Sequence, residues 1–397
     1  MDPYTNPFAP GAGSRPPELA GRDDILQMAR VSCVRAINGR SARSLMLLGL
    51  RGTGKTVLLN EIGRIAEGEG FLVSKVEAPE ETNLANLLFP EMRKVARSLS
   101  GHAAAKDNAM RALGGLRNFA SVFNIEFQGV KIGVEPPEAP GVAESGDMQH
   151  DLPDVFEQIG RAARAAGKAW ILLIDEVQYL SQSDLSALIV ALHRVSQDGT
   201  PIVFVGAGLP QVARLAGDAK SYAERLFAYP VVDALGPAEA GKAIEKPILD
   251  EEASVSRDAL DEIFRLTQGY PFFLQELASF SWDNAPGPEI SKDDVGKSYE
   301  ETVQSLDNGF FRVRMDRLTR AEVDFVNAMA ELGDGPYQVS DIAKAMGRTQ
   351  QSLGPARANI IYKGMIYSTD HGYLDFTVPL FAEFIRRQNR TDNPPQE

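Results

Sequence analysis

Leu45, Met46, Leu47 and Leu48 form an unbroken apolar run, and past a glycine-rich stretch Leu58, Leu59, Ile62 and Ile65 recur at helical spacing. This predicts a buried strand leading into an amphipathic helix. "GFLVSKVEA" (70–78), Ile171 to Ile174, "PIVFVGAG" (201–208) and "LFAYPVV" (226–232) read as further strands. Between them "ANLLFPEMRKVARSL" (85–99) reads as largely helical, and "LPDVFEQIGRAARAAG" (152–167) as a helix ending at Gly167. Strands alternating with helices predict an α/β fold, a parallel sheet with helices on both faces. From Leu235 the pattern turns wholly helical and predicts a lid, broken at "SWDNAPGPEISKDD". No internal repeat is present.

The glycine-rich stretch, "GLRGTGKT", fits G-x-x-x-x-G-K-[ST] over Gly49, Leu50, Arg51, Gly52, Thr53, Gly54, Lys55 and Thr56. Strand before and helix after are the context a phosphate-binding loop needs. The glycines let backbone N–H groups curl around phosphate oxygens, and Lys55 brings a point charge to the outer phosphates. Thr56 would hold Mg²⁺. The apolar strand at 171–174 ends in Asp175 and Glu176. Placed on a parallel strand next to the glycine-rich one, Asp175 would reach the Mg²⁺ shell and Glu176 would polarise a water. ATP and Mg²⁺ are the expected cofactors, with hydrolysis to ADP and phosphate.

With these motifs in place, "ELAGRDDILQMAR", "DEVQ" and "SYAERLFAYPVVDALGPAEAGKAI" resemble AAA+ P-loop ATPases of the origin-recognition-like branch and the related STAND NTPases, over most of residues 18–390. The resemblance implies that Leu19 to Arg22, with Gly21 and Arg22 at its centre, lie over the adenine. It implies that Arg225 stands near the γ-phosphate of its own or a neighbouring subunit, and that Pro271 in "QGYPFF" helps enclose the base. A helix stop followed by Pro in the next helix's first turn explains Pro271 equally well. Two departures matter. Gly206, Ala207 and Gly208 stand where such ATPases place a polar sensor, and Gly269, Tyr270 and Pro271 stand where many carry a sensor arginine. A slow ATPase or a switch is expected.

The carboxyl-terminal part begins with Thr319 and Glu322 in a capping relation, followed by a helix ending at Gly333. "VSDIAKAMG" reads as a short helix capped by Ser340. "TQQSLGPARANIIYKG" reads as a recognition segment, kinked at Gly354 and Pro355 or starting at Pro355. "MIYSTDHGYLDFTV" reads as a hairpin about Asp370, His371 and Gly372. Three helices and a hairpin are the winged-helix order. Arg348, Arg357 and His371 are the DNA contacts that position suggests. The expected division is an arm (1–17), a P-loop ATPase domain (18–234, with an insertion near 100–151), a helical lid (235–305), a winged-helix domain (306–390) and a tail (391–397). Within the insertion, 124–135 reads as a hairpin and 136–151 as a flexible loop.

Composition narrows the choice of partners. The 397 residues carry a net charge of −13, which opposes indiscriminate nucleic-acid binding. Residues 308–390 hold eleven Lys and Arg against nine acids, a balance of +2 that leaves −15 for the remainder. The change of sign favours a local phosphate-facing surface for duplex DNA. One cysteine, Cys33, and four scattered histidines give no disulfide and no metal-ligand spacing. No apolar run approaches a membrane span, and the Pro- and Gly-rich start lacks an export signal, so a cytoplasmic location is expected. The leading expectation is a nucleotide-dependent switch controlling a winged-helix DNA-binding module. The alternative is a STAND-like signalling ATPase whose winged helix docks protein or mediates homo-oligomerisation. A small-molecule kinase is weaker, since Glu176 suits water activation and no acceptor pocket is evident.

Overall fold

The computed structural model describes residues 1–11, 13–80, 83–125 and 139–392, with side chains up to residue 390. The chain divides into two compact units, residues 22–49 with 55–232 and residues 1–21 with 50–54 and 233–397.

The first unit runs α1 (Asp23–Ile37), β1 (Ser44–Leu48), α2 (Lys55–Gly68), β2 (Phe71–Glu77), α3 (Leu84–Ser100), α4 (Lys106–Val122), α5 (Met148–Ala165), β3 (Ala169–Asp175), α6 (Gln182–Gln197), β4 (Ile202–Gly208), α7 (Val212–Ala219), α8 (Ala223–Leu226) and β5 (Phe227–Ala228). The five strands are parallel, in the order β2-β3-β4-β1-β5. Every residue of β1, β3 and β4 is buried, as uninterrupted apolar runs in a doubly covered sheet require. Met46, Leu48, Trp170, Leu172, Ile174 and Phe204 share one core with α3 to α6. On the opposite face α2 lies so close that a Cβ at Gly63 would sit 3.2 Å from Leu173.

The sheet order corrects one expectation. β3 is not beside β1, because β4 lies between them and pairs with both. The apolar pattern marks a central strand but carries no information about its neighbours. The insertion also differs from expectation. α4 arises from an Ala- and Gly-rich stretch with a weak pattern, burying Ala109, Ala112, Leu116 and Phe119. Residues 139–147 are packed instead of loose, with Ala139, Val142 and Ala143 buried and Asn118 Nδ2 donating to the carbonyls of Ala139 and Val142 at 3.0 Å each. α5 starts a turn early at Met148, because the Asp147 carboxylate accepts from Gln149 N at 2.9 Å. Most of the expected hairpin at 124–135, like residues 136–138, lies outside the described residues.

The second unit contains the lid: α9 (Pro237–Asp250), β6 (Ser254–Val255), α10 (Arg257–Thr267), α11 (Pro271–Asn284), β7 (Glu289–Ile290) and α12 (Lys292–Ser305). It is not wholly helical, since β6 and β7 form a two-residue parallel pair. Its core takes in Phe8 and Ala20 from the amino-terminal segment alongside Ile248, Leu277 and Trp282. A π-helical turn at Leu306–Phe311 leads into α13 (Arg312–Met315). Then come α14 (Arg320–Glu331), β8 (Tyr337–Gln338), α15 (Val339–Ala345), α16 (Gly354–Tyr362), β9 (Ile366–Asp370), β10 (Tyr373–Phe376) and α17 (Phe381–Asp392). The three strands form an antiparallel sheet in the order β8-β10-β9.

Thr319 and Glu322 form the capping box that their spacing predicts. Ser340 does not cap α15. The helix begins at Val339, where β8 delivers the chain directly, and Ser340 Oγ donates instead to Gln338 Oε1 at 3.2 Å. The recognition segment resolves into a 3₁₀ turn (Gln351–Leu353) and α16, with Pro355 in the first helical turn, where its missing N–H costs nothing.

Candidate nucleotide site

In the first unit, Gly49 N donates to Gly208 O at 3.1 Å, tying the end of β1 to the end of β4. Lys55 opens α2 and is buried. Thr56 Oγ1 donates to Asp175 Oδ2 at 2.6 Å, although β4 separates their strands, because the start of α2 returns across the top of the sheet. Asp175 Oδ1 accepts from Glu176 N at 2.9 Å. One hydroxyl and one carboxylate thus converge as hard oxygen donors, the set that Mg²⁺ accepts when phosphate and water complete its octahedron.

Glu176 occupies the left-handed region at φ 54°, which costs a non-glycine residue roughly 1 kcal/mol. This kink swings the chain from β3 into the 3₁₀ turn Val177–Tyr179 and sets the glutamate apart from the strand. Its Oε2 accepts from Gln178 Nε2, and Gln178 Oε1 accepts from Leu209 N at 3.1 Å. "DEVQ" displays Gln178, but nothing in the linear pattern shows that its amide joins Glu176 to the end of β4.

Arg225 is exposed and lies two residues before β5. β5 pairs in parallel with β1 through Ser44↔Phe227, so Arg225 stands at the amino end of the sheet. The phosphate end lies four residues along β1, about 13 Å away. Arg225 therefore cannot serve the phosphates of its own subunit. It lines an open groove of about 1130 Å³ with Arg35, Arg43, Met28, Val31 and His193.

In the second unit, the loop residues have their own contacts. Gly52 and Gly54 adopt φ 83° and 94°, where a side chain would be strained. Thr53 Oγ1 closes the turn on Leu50 O at 2.9 Å. Arg51 N donates to Thr377 O, and Arg51 Nε to Gly364 O, both at 3.2 Å. A Cβ on Gly52 would meet the Tyr270 ring at 2.9 Å. Tyr270 is buried, and its hydroxyl has no hydrogen-bond partner among the described residues. Burial raises its pKa far above the ordinary phenol value. The carboxyl-terminal module thus touches the loop at Arg51 and the lid touches it through Tyr270, and both links are long-range and absent from any local motif.

Gly21 lies against Glu239 of α9, Leu19 precedes it, and Arg22 immediately precedes α1 and is buried. Pro271 is the first residue of α11, directly after Gly269 at φ 72°, so the helix-stop explanation holds locally. Arg348 follows α15, Arg357 lies on α16 and His371 sits in the β9–β10 turn. No hydrogen bond or ion pair engages the side chains of Arg348 or Arg357 among the described residues. Gly372 O accepts from Val339 N, so the hairpin turn meets the amino end of α15, whereas Arg348 follows its carboxyl end, about 10 Å along the helix. Several neighbouring cations are already engaged: Lys363 by Glu322, Arg386 by the carbonyls of Ala330 and Gly333, and Arg387 by Asp307. Among the described residues no helix is long and apolar enough to cross a membrane.

None of the curated proteins matches this chain. The Walker-type ATPase PABY2304 of Pyrococcus abyssi is similar in structure, with a TM-score of 0.59 at 16% identity over 94% of this chain and 97% of that one. The Orc1 protein of Aeropyrum pernix, solved in complex with DNA, gives 0.47 at 14% identity over 94% and 93% of the chains. The RuvB Holliday junction branch migration motor of Thermotoga maritima gives 0.46 at 15% over 94% and 99%. Residues 308–385 match a domain family of unknown function. Residues 18–205, which hold the loop, Asp175 and Glu176, match the AAA ATPase domain family.

Proposed function

We propose that this protein binds ATP with Mg²⁺, hydrolyses it slowly, and uses the nucleotide state to control its carboxyl-terminal module, a winged helix that binds duplex DNA. The observation that carries the ATPase reading is the 2.6 Å contact of Thr56 with Asp175 beside Glu176, on a segment matching the AAA ATPase domain family. Thr56 and Asp175 would hold Mg²⁺, which when bound draws charge from the β- and γ-phosphates. Lys55 neutralises the outer phosphates and Glu176 takes the proton of the attacking water. Gly21, Arg22 and Pro271 would enclose the base. If Arg225 acts in catalysis, it would act on a neighbouring subunit's nucleotide, because it stands at the amino end of β5; the alternative is a surface arginine with no catalytic part.

The switch reading is supported by Arg51 and Gly52. Arg51 of the phosphate loop is held by Thr377 and Gly364, and Gly52 lies against Tyr270 of the lid, so reshaping the loop around a γ-phosphate disturbs contacts made by the carboxyl-terminal module and the lid. Slow turnover is supported by β4, which ends in Gly206, Ala207 and Gly208 without a polar side chain. The free side chains of Arg348 and Arg357 support DNA binding. The engagement of Lys363, Arg386 and Arg387 favours the second reading, in which the module docks protein, as in STAND signalling ATPases.

The test is nucleotide binding, phosphate release and duplex DNA affinity measured together. Lys55→Ala is expected to weaken ATP binding on the order of 100-fold, about 3 kcal/mol. Glu176→Gln is expected to keep binding and lose turnover. A wild-type rate of roughly tens per second would remove the slow-switch reading. DNA affinity that is undetectable in ATP at physiological salt, and unmoved by Arg348→Ala with Arg357→Ala, would replace the DNA reading by the protein-docking one.

A further inference from the structure

The end of β4 carries no polar side chain, yet its first backbone N–H beyond the strand, at Leu209, is wired to the catalytic carboxylate through Gln178. We infer that Gln178 is a positioning residue for hydrolysis: its amide supplies from β3's side the polar link between β4 and Glu176 that β4 itself lacks. The inference rests on the ATPase reading of this site and adds a residue to it.

Chemistry determines which way the amide faces. Leu209 N is a donor, so only Gln178 Oε1 can accept from it, at 3.1 Å. Nε2 then points at Glu176 Oε2 and donates to it. Glu176 sits on a kinked backbone at φ 54°, past the end of its strand. Holding one carboxylate oxygen leaves the other in a defined direction. In the reaction a water oxygen bonds to the γ-phosphorus, the bond from that phosphorus to the β–γ bridging oxygen breaks with its electron pair leaving on ADP, and the water's proton passes to Glu176. The proton transfer demands that the carboxylate be aligned with the attacking water, and the Gln178 amide fixes one of its oxygens.

Gly208 is the second observation. A Cβ there would sit 2.7 Å from Gln178 Oε1 and 2.7 Å from Val212 Cγ2. The residue that denies β4 a sensor side chain is therefore the one that admits Gln178. The two features form one arrangement, with the polar group moved from β4 to the turn after β3.

Steady-state phosphate release by the full chain tests this, with nucleotide affinity measured alongside. Gln178→Ala should lower kcat about 10-fold while KM and ATP affinity stay within about twofold. Gly208→Ala should reproduce the loss with the amide still present. Wild-type kcat in Gln178→Ala, or a loss confined to KM, would overturn the role of Gln178 and leave the ATPase reading standing. No phosphate release by the wild type would overturn both.

Discussion

Glu322 shows how one side chain serves two structural purposes. Burial would raise its pKa, but hydrogen bonds from Lys363 and Thr319 N outweigh that and hold the carboxyl below its usual range. A depressed carboxylate pKa contributes stability that is present above the unfolded value, about 4.3, and lost as pH falls through the folded value. The carboxyl-terminal module should therefore loosen below about pH 4. Glu322→Gln should cost about 2 kcal/mol at neutral pH, because Lys363 loses its counter-ion and the helix cap weakens. Denaturant unfolding followed by the fluorescence of this module's tyrosines checks both, and equal midpoints at neutral pH would contradict the assignment. The capping relation of Thr319 and Glu322 was legible from three-residue spacing. The ion pair was not, since Lys363 lies forty-one residues away.

At the scale of elements, local pattern served well wherever burial alone decides structure. β1, β3 and β4 are continuous apolar runs because each is covered on both faces, and they stand close to where the pattern puts them. α4 was illegible, since small residues pack closely without producing a strong periodicity. The amino-terminal segment is the other instance. Pro and Gly suggest a free arm, but Phe8 is buried in the lid core and Asn6 Nδ2 bonds Asp283 at 2.9 Å and Ser279 at 3.1 Å. Trp282 Nε1 also donates to Asp2 O at 2.9 Å. Phe8→Ala should destabilise the lid by about 3 kcal/mol. A shifted thermal midpoint with unchanged Walker-loop chemistry would be the signature; no shift would mean the segment contributes nothing to the lid.

At the scale of the molecule, Arg225 sets the prediction. Its place at the amino end of the sheet rules out service to its own phosphates, and under the proposed function it completes a neighbour's site. Arg225→Ala should then lower turnover by on the order of 100-fold or more. Mixing inactive Arg225→Ala subunits with inactive Glu176→Gln subunits should restore phosphate release, since each supplies what the other lacks. Mixtures that stay as inactive as their components would remove Arg225 from catalysis and leave the groove it lines without an assigned role.

What the sequence determined by itself is the part of this protein governed by short-range chemistry. A strand, a glycine-rich loop and a Lys-Thr pair make up the phosphate-binding pattern within a dozen residues, and an apolar strand ending in Asp175 and Glu176 supplies the carboxylates that the proposed metal and water chemistry uses. These groups are neighbours in the chain or lie at the ends of strands that continuous burial marks out. Tertiary structure alone decided the rest. It inserted β4 between β1 and β3, put Arg225 at the far end of the sheet, joined Gln178 to Leu209, and held Arg51 against Thr377 and Gly364. Each depends on backbone groups far apart in sequence, and backbone donors and acceptors are the same at every residue, so no residue type announces where they will meet.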